Sequence, residues 1–445
     1  MTSQPISQAV TARIFRCTLF LPACLVVLMM SGCFSPQSPL DGILLITVSS
    51  LRTDSLGCYG NTLAETPHLD RLARQGLLFK DVWSPAANSA PAFFSILTGK
   101  SVSDITKQSW KSSLLAPFKK FGWETMLSVS EPIITDQEAG QAGVDVFFSC
   151  VSKNVRFYRA KMNNDRVKAW LENRKGDRPL FCWVHYSDPA VPYDPPSPFF
   201  EFFCSQLIDD FPTDMTSPDF KSVFRDYMWL LYLAEVSYMD RQLGRLLDSW
   251  RETFRTGNSV IVVASLHGES FGENGIFFEP GNPNRETVSV PLIINGNPIT
   301  QGTVEDVVSL TELIPALQKL ANLPETGEEG PADGPLSMNL ITNGSVHSTN
   351  GSPEALSAAP GAWSFRYGQW HYVLYNETVT YNDTDNYYTN PEYRKTIENG
   401  TSSLTWLGGT PAEASPTAEV RKRIDARFRE LVNHIEKQPD PKERD

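Results

Sequence analysis

Short apolar runs that stop at polar clusters set the rhythm of this chain. Ile43–Val48 (ILLITV), Leu180–His185 (LFCWVH), Val260–Ala264 (VIVVA) and Pro291–Ile294 (PLII) are β-branched or aromatic-rich, with Gly, Pro, Ser or Asp on their flanks. Continuous rather than alternating apolar character marks strands buried on both faces. Helical patterns between them point to a largely parallel sheet covered by helices. In the longest such pattern Tyr232, Val236, Met239, Leu243, Leu247 and Trp250 share one helix face, with Asp240, Arg241 and Arg245 on the other. Its plain meaning is core packing. Val307–Leu323 reads as a second amphipathic helix. An open parallel sheet binds ligands beyond the carboxyl ends of its strands. Ser49-Ser50, Asp188–Ala190 and Leu266-His267 fall just past three such ends, so they are expected to form one site.

The pattern changes towards the C-terminus. Residues 42–345 form the expected α/β domain, with Glu325–Gly334 (ETGEEGPADG) as an acidic surface loop, and residues 346–361 form a Ser/Asn/Gly/Pro-rich linker. Ala362–Asn376 (AWSFRYGQWHYVLYN) contains two aromatic strand-like runs around Tyr367-Gly368, predicting a small antiparallel subdomain over 362–416. Residues 417–445 read as a charged terminal helix and tail, with Val420, Ile424, Phe428, Leu431 and Ile435 as the apolar stripe.

The N-terminus changes the expected location. Arg13 and Arg16 precede an apolar stretch, Cys17–Met30, too short for a comfortable bilayer span, and Met30-Ser31-Gly32-Cys33 resembles a bacterial lipobox. Residues 1–32 are therefore expected to be a cleaved lipoprotein signal, Cys33 the lipidated residue and residues 33–41 a polar tether in the bacterial cell envelope, facing the periplasm or the cell surface. An ordinary signal peptide or a signal anchor is the other reading. The chain carries −12 formally, and −14 once residues 1–32 with their two arginines are removed, which argues against nucleic acid as a partner. Of seven cysteines, Cys58, Cys150, Cys182 and Cys204 lie beyond Cys33, without CxxC pairing. One disulfide is open to them, but they make no disulfide framework, and Cys182 is expected to be a buried thiol.

Several segments carry a more specific signal. Ser89-Ala90-Pro91 followed by Leu97-Thr98-Gly99 keeps the frame C/S-x-P-S/x-R-x-x-x-L/M-T-G; VSSLRTD (48–54) resembles I-D-T-L-R-x-D; and Tyr186–Tyr193 (YSDPAVPY) resembles Y-x-D-P-H-x-P-Y. Thr66–Gly76 and Tyr232–Leu247 match T-P-N-L-D-x-L-A and Y-x-A-x-V-x-x-x-D-x-x-L-G-x-L. On these segments the chain resembles the sulfatases of the alkaline-phosphatase superfamily from about residue 42 to 345. The resemblance implies a sulfatase/alkaline-phosphatase-like core with a mainly parallel sheet between helices. It also implies a divalent cation held by carboxylates and a nucleophile at Ser89.

The chemistry expected of that family is depleted here. Ser49 stands where the resemblance implies an Asp ligand, Ser50 where a variant branch has Thr, and Leu266 takes a second acidic position, leaving His267. Hard cations take 6–8 oxygen ligands, largely carboxylates, so neither Ca²⁺ nor Mg²⁺ is an expected cofactor. Asp54 persists at a non-ligand position. Phe93 replaces the arginine tied to formylglycine formation, Ala190 replaces a histidine, and the window Phe278–Pro280 lacks an expected basic residue. Ser89 is either a nucleophile or a helix-capping hydroxyl, and His267 alone reads as a satisfied core histidine. His185 has a structural place in the pattern. Two functional readings follow. One is a catalytically impaired, membrane-anchored family member acting in binding or assembly, with a sulfated or phosphorylated ligand as a candidate. The other is an active metal-dependent sulfuric or phosphoric ester hydrolase using Ser89 with Ca²⁺ or Mg²⁺. A fold kept only for structure is a third option.

Overall fold

The computed structural model describes residues 40–105, 109–150, 160–205, 220–255, 257–277, 281–324, 336, 354–359, 362–367, 370–375, 379–381, 395–398, 402–406, 422 and 426. The strands of the main sheet are β1 (Gly42–Val48), β2 (Leu77–Trp83), β3 (Glu124–Val129), β4 (Val146–Ser149), β5 (Leu180–Tyr186), β6 (Ser259–Ser265), β7 (Leu292–Gly296) and β8 (Gly302–Ser309). Their order is β4-β3-β5-β1-β6-β7-β2-β8, and β7 alone runs against its neighbours. Central β1 lies parallel to β5 and β6 in unbroken register, Val48 opposite Tyr186 and Ser265. All seven of its residues are buried. Alternate side chains enter different cores: Ile43 and Leu45 join one apolar cluster, Leu44, Ile46 and Val48 the other. The sheet is therefore buried on both faces, as the continuous apolar runs require.

One face is covered by α1 (Pro67–Gln75), α5 (Ala160–Asn173) and the long α7 (Phe220–Thr253). The opposite core takes side chains from α2 (Ser89–Thr98), α3 (Ala116–Lys120), α4 (Asp136–Gln141) and α9 (Leu313–Leu320). Short α6 (Phe199–Cys204) and α8 (Arg285–Val288) belong to connections. No helix among the described residues is long and apolar enough to cross a membrane.

Three expectations need correction. Asp240 does not face solvent: it is buried, and its carboxylate accepts from the backbone N–H groups of His68 (3.1 Å) and Leu69 (2.8 Å) at the start of α1. Arg241 and Arg245 are exposed as expected. Residues 307–309 end a strand, and the helix follows a capping box in which Ser309 and Glu312 satisfy each other's orphan groups. The linker stretch contains β9 (Glu354–Ala359), which pairs with β10 (Ala362–Tyr367) and, through it, β11 (Trp370–Tyr375) and β14 (Ser402–Trp406), forming an antiparallel sheet. A further pair, β12 (Val379–Tyr381) and β13 (Lys395–Ile397), lies beside it in sequence. The two-run reading of 362–376 thus becomes β10 and β11.

The leader, Cys33 and most of 417–445 lie outside the described residues, where only 422 and 426, both helical and exposed, are described. The window 278–280 and the acidic loop 325–334 lie outside them too. Cys58, Cys150, Cys182 and Cys204 are free thiols.

Candidate functional site

The carboxyl edge of the sheet gathers the serines and a histidine from three separate segments. Backbone bonds from Ser49 N–H to Tyr186 O (2.9 Å) and from Leu266 N–H to Val48 O (2.8 Å) extend the ladders by one residue past β1 and β6. That extension sets Ser49 beside the loop carrying His267. Ser50 then turns the chain with φ 57°, a left-handed conformation uncommon outside Gly, Asn and Asp. Its hydroxyl reaches Glu269 at 3.5 Å, too long for a strong bond. From the neighbouring strands, α2 aims its first turn at the same point. Asn88 is the N-cap, so Ser89 is not the capping hydroxyl considered above. Its Oγ lies 2.8 Å from Ser49 Oγ and 2.9 Å from His267 Nε2.

A carboxylate that the sequence reading missed completes the cluster. Glu131, two residues past β3, accepts from Ser49 Oγ at 2.5 Å and lies 2.5 Å from His185 Nε2. Trp183 Nε1 donates to Thr47 Oγ1 (2.9 Å), which leaves the threonine proton for His185 Nδ1 (2.9 Å) and turns the ring's Nε2–H towards Glu131. His185 therefore belongs to the site rather than only to its scaffold. Burial raises the Glu131 carboxyl, but bonding and charge from His185, the Ser49 hydroxyl and His267 outweigh it and bring it down to about 2.

Proton counting fixes the other end. Gly268 O can only accept, so His267 Nδ1, 2.8 Å away, carries the proton and Nε2 is open to the Ser89 hydroxyl. Burial lowers the basicity of His267, the bond to Gly268 O and the charge of Glu131 partly opposing it. Ser49 gives its single proton to Glu131, so the Ser89 proton is shared between Ser49 Oγ and His267 Nε2. Gly268 is pinned against α8 by its N–H bond to Thr287 O (2.7 Å), and an added Cβ would come within 2.0 Å of Glu286 O.

The remaining expected positions are apolar or remote. Leu266 is fully buried, and its carbonyl accepts from Ser84 Oγ (2.5 Å). Phe93, also fully buried, stacks on Trp183 with centroids 4.4 Å apart and meets the His185 ring edge-on at 6.5 Å. Ala190 is half-buried in the loop after β5, between cis Asp188–Pro189 and cis Val191–Pro192. Asp54 forms a two-bond pair with Arg52 (2.8 and 2.7 Å), away from the serines.

A divalent cation does not fit these side chains. Leu266 has no donor atom, Ser49 is neutral and already engaged, and Glu131 is held by two partners. Among the described residues no group of three or more His, Cys, Asp or Glu side chains is placed to hold a metal.

Residues 42–323 match the family model described as Sulfatase, so the chain belongs to the sulfatase family. It is 26% identical over 329 residues to human iduronate 2-sulfatase, covering 56% of this chain and 58% of that protein. It is 22% identical over 364 residues to an arylsulfatase of Clostridium perfringens, covering 63% and 75% respectively. A solved structure of a protein with its substrate D-glucosamine-2-N,6-O-disulfate superposes with TM-score 0.68 at 18% identity, over 92% of this chain and 100% of that one. The sheet, its helices and the small antiparallel sheet are thus those of sulfatases in the alkaline-phosphatase superfamily.

Proposed function

We propose that this sulfatase-family chain has lost metal-dependent hydrolysis of sulfuric esters and acts in binding or assembly, held at a bacterial envelope by a lipid on Cys33. The observation that carries the reading is the donor set at the sheet edge. Ser49, Ser50, Leu266 and His267 stand where the family resemblance implies a cation cage, and Glu131 sets a negative charge beside Ser49. Without a cation, an anionic ester approaching within ~5 Å of that carboxylate meets roughly 3 kcal/mol of repulsion at an effective dielectric of about 20. Phe93 in the apolar core further argues that Ser89 stays serine rather than formylglycine.

The test is turnover of 4-nitrophenyl sulfate and 4-nitrophenyl phosphate by purified protein, with Ca²⁺ or Mg²⁺ added. No product above the Ser89→Ala control is expected. Turnover that disappears on chelation supports the metal-dependent hydrolase instead. The anchor is tested separately by fatty-acid labelling in a bacterial host, expected for wild type and absent in Cys33→Ala.

A further inference from the structure

We propose that Ser89 and His267 form a metal-free nucleophile–base pair that acts on uncharged carboxylic esters. The inference goes beyond the loss of sulfuric-ester chemistry and rests on that reading for the absence of a cation. The geometry has three parts. Ser89 Oγ and His267 Nε2 are 2.9 Å apart, within the reach of a hydroxyl nucleophile and its base. The base is oriented by its other nitrogen, which donates to Gly268 O at 2.8 Å, so the ring presents a lone pair to the hydroxyl. Ser89 is half-buried and Ala90 exposed, so the start of α2 reaches solvent while His267 stays buried.

Ser89 also opens α2, where an α-helix leaves its first N–H groups without intrahelical partners. Those of Ser89 and Ala90 are available to the oxygen of a tetrahedral intermediate. Pro91 supplies none. Glu131, one serine beyond, selects against anionic substrates and leaves neutral esters as the matching class.

In the first step Ser89 Oγ bonds to the carbonyl carbon while its proton passes to His267 Nε2. The ester C–O bond breaks, and the leaving alcohol takes that proton. In the second, water gives a proton to His267 and attacks the acyl carbon; the Ser89 Oγ–C bond breaks and His267 returns the proton to Ser89. The products are an alcohol and a carboxylic acid, and no oxidant or metal enters.

The experiment treats purified full-length protein with a fluorophosphonate probe and with 4-nitrophenyl acetate, with and without EDTA, and maps the adduct by mass spectrometry. One adduct on Ser89 is expected, unaffected by EDTA and slowed about 100-fold or more in His267→Gln. Peptide mapping of wild type makes the result independent of whether variants fold. No adduct on Ser89, while a reference serine hydrolase is labelled alongside, overturns the pair and leaves the sulfuric-ester reading standing. Labelling of Ser89 that requires Ca²⁺ overturns both. Equal labelling in folded His267→Gln removes His267 as the base.

Discussion

Phe93 shows how far a single side chain commits the site. Its ring is fully buried against Trp183, so an arginine there must place a guanidinium in an apolar layer beside His185. Truncating a buried Phe costs about 3–5 kcal/mol, and Phe93→Arg adds a buried charge to that loss. The expected outcome is a clear fall in the urea midpoint; an unchanged midpoint would show that the pocket has room for a cation. The replacement itself was plain from the sequence, because the serine, the proline and the Leu-Thr-Gly triplet keep its register. Glu131 was not. It follows Met126–Val129, and Ser128 and Ser130 break the apolar character there, so no continuous apolar run ends at the acid to mark it. His185 is illegible for a related reason: its partner is the unmarked Glu131.

At the scale of elements, polar groups past strand ends and at helix starts decide what is positioned and what is merely packed. Asp240 sits on α7 yet serves α1, giving two orphan N–H groups their acceptor. Asp240→Ala is expected to lower stability by about 0.5–2 kcal/mol, read as a shift in urea midpoint with unchanged slope; no shift would mean that water replaces the carboxylate fully. Helical periodicity located the stripe on α7 but could not reveal a tertiary cap, since the acceptor and its donors are far apart in sequence. The strands buried on both faces, β1, β5 and β6, were legible as continuous apolar runs. β2 was less so, because Lys80 and Asp81 interrupt it, and Asp81 is there to meet Arg366 of β10 at 2.6 Å. Apolar spacing does not reveal the start of α9, because the residues before Ser309 suit a helix and an edge strand equally; the capping box of Ser309 and Glu312 marks it.

Over the whole molecule, buried titratable groups set how stability varies with pH. Burial pushes Asp240, Glu286 and Glu312 up to about 7, from ordinary values of 3.8, 4.5 and 4.5. Between those limits the folded chain binds more protons than the unfolded one, so stability falls as pH rises towards 7. Glu131 has the opposite sign: lowered from 4.5 to about 2, it stabilises above 4.5 and loses that contribution as pH drops towards 2. His68, His267 and His371, held below the ordinary 6.5 chiefly by burial, oppose the carboxyls over the same interval. The urea midpoint of Glu312→Gln relative to wild type is therefore expected to be higher at pH 8 than at pH 5; an equal difference at both pH values would contradict the assignment. The same edge that holds Glu131 also carries the central claim, that a sulfatase fold here operates without its cation. The most direct measurement is the Ca²⁺ and Mg²⁺ content of the purified protein after equilibration with each ion and removal of the excess. Well under one equivalent per chain is predicted. A full equivalent that is lost in Glu131→Gln or His267→Gln would contradict the account, because it would place a working metal centre among the side chains assigned to a hydrogen-bonded network.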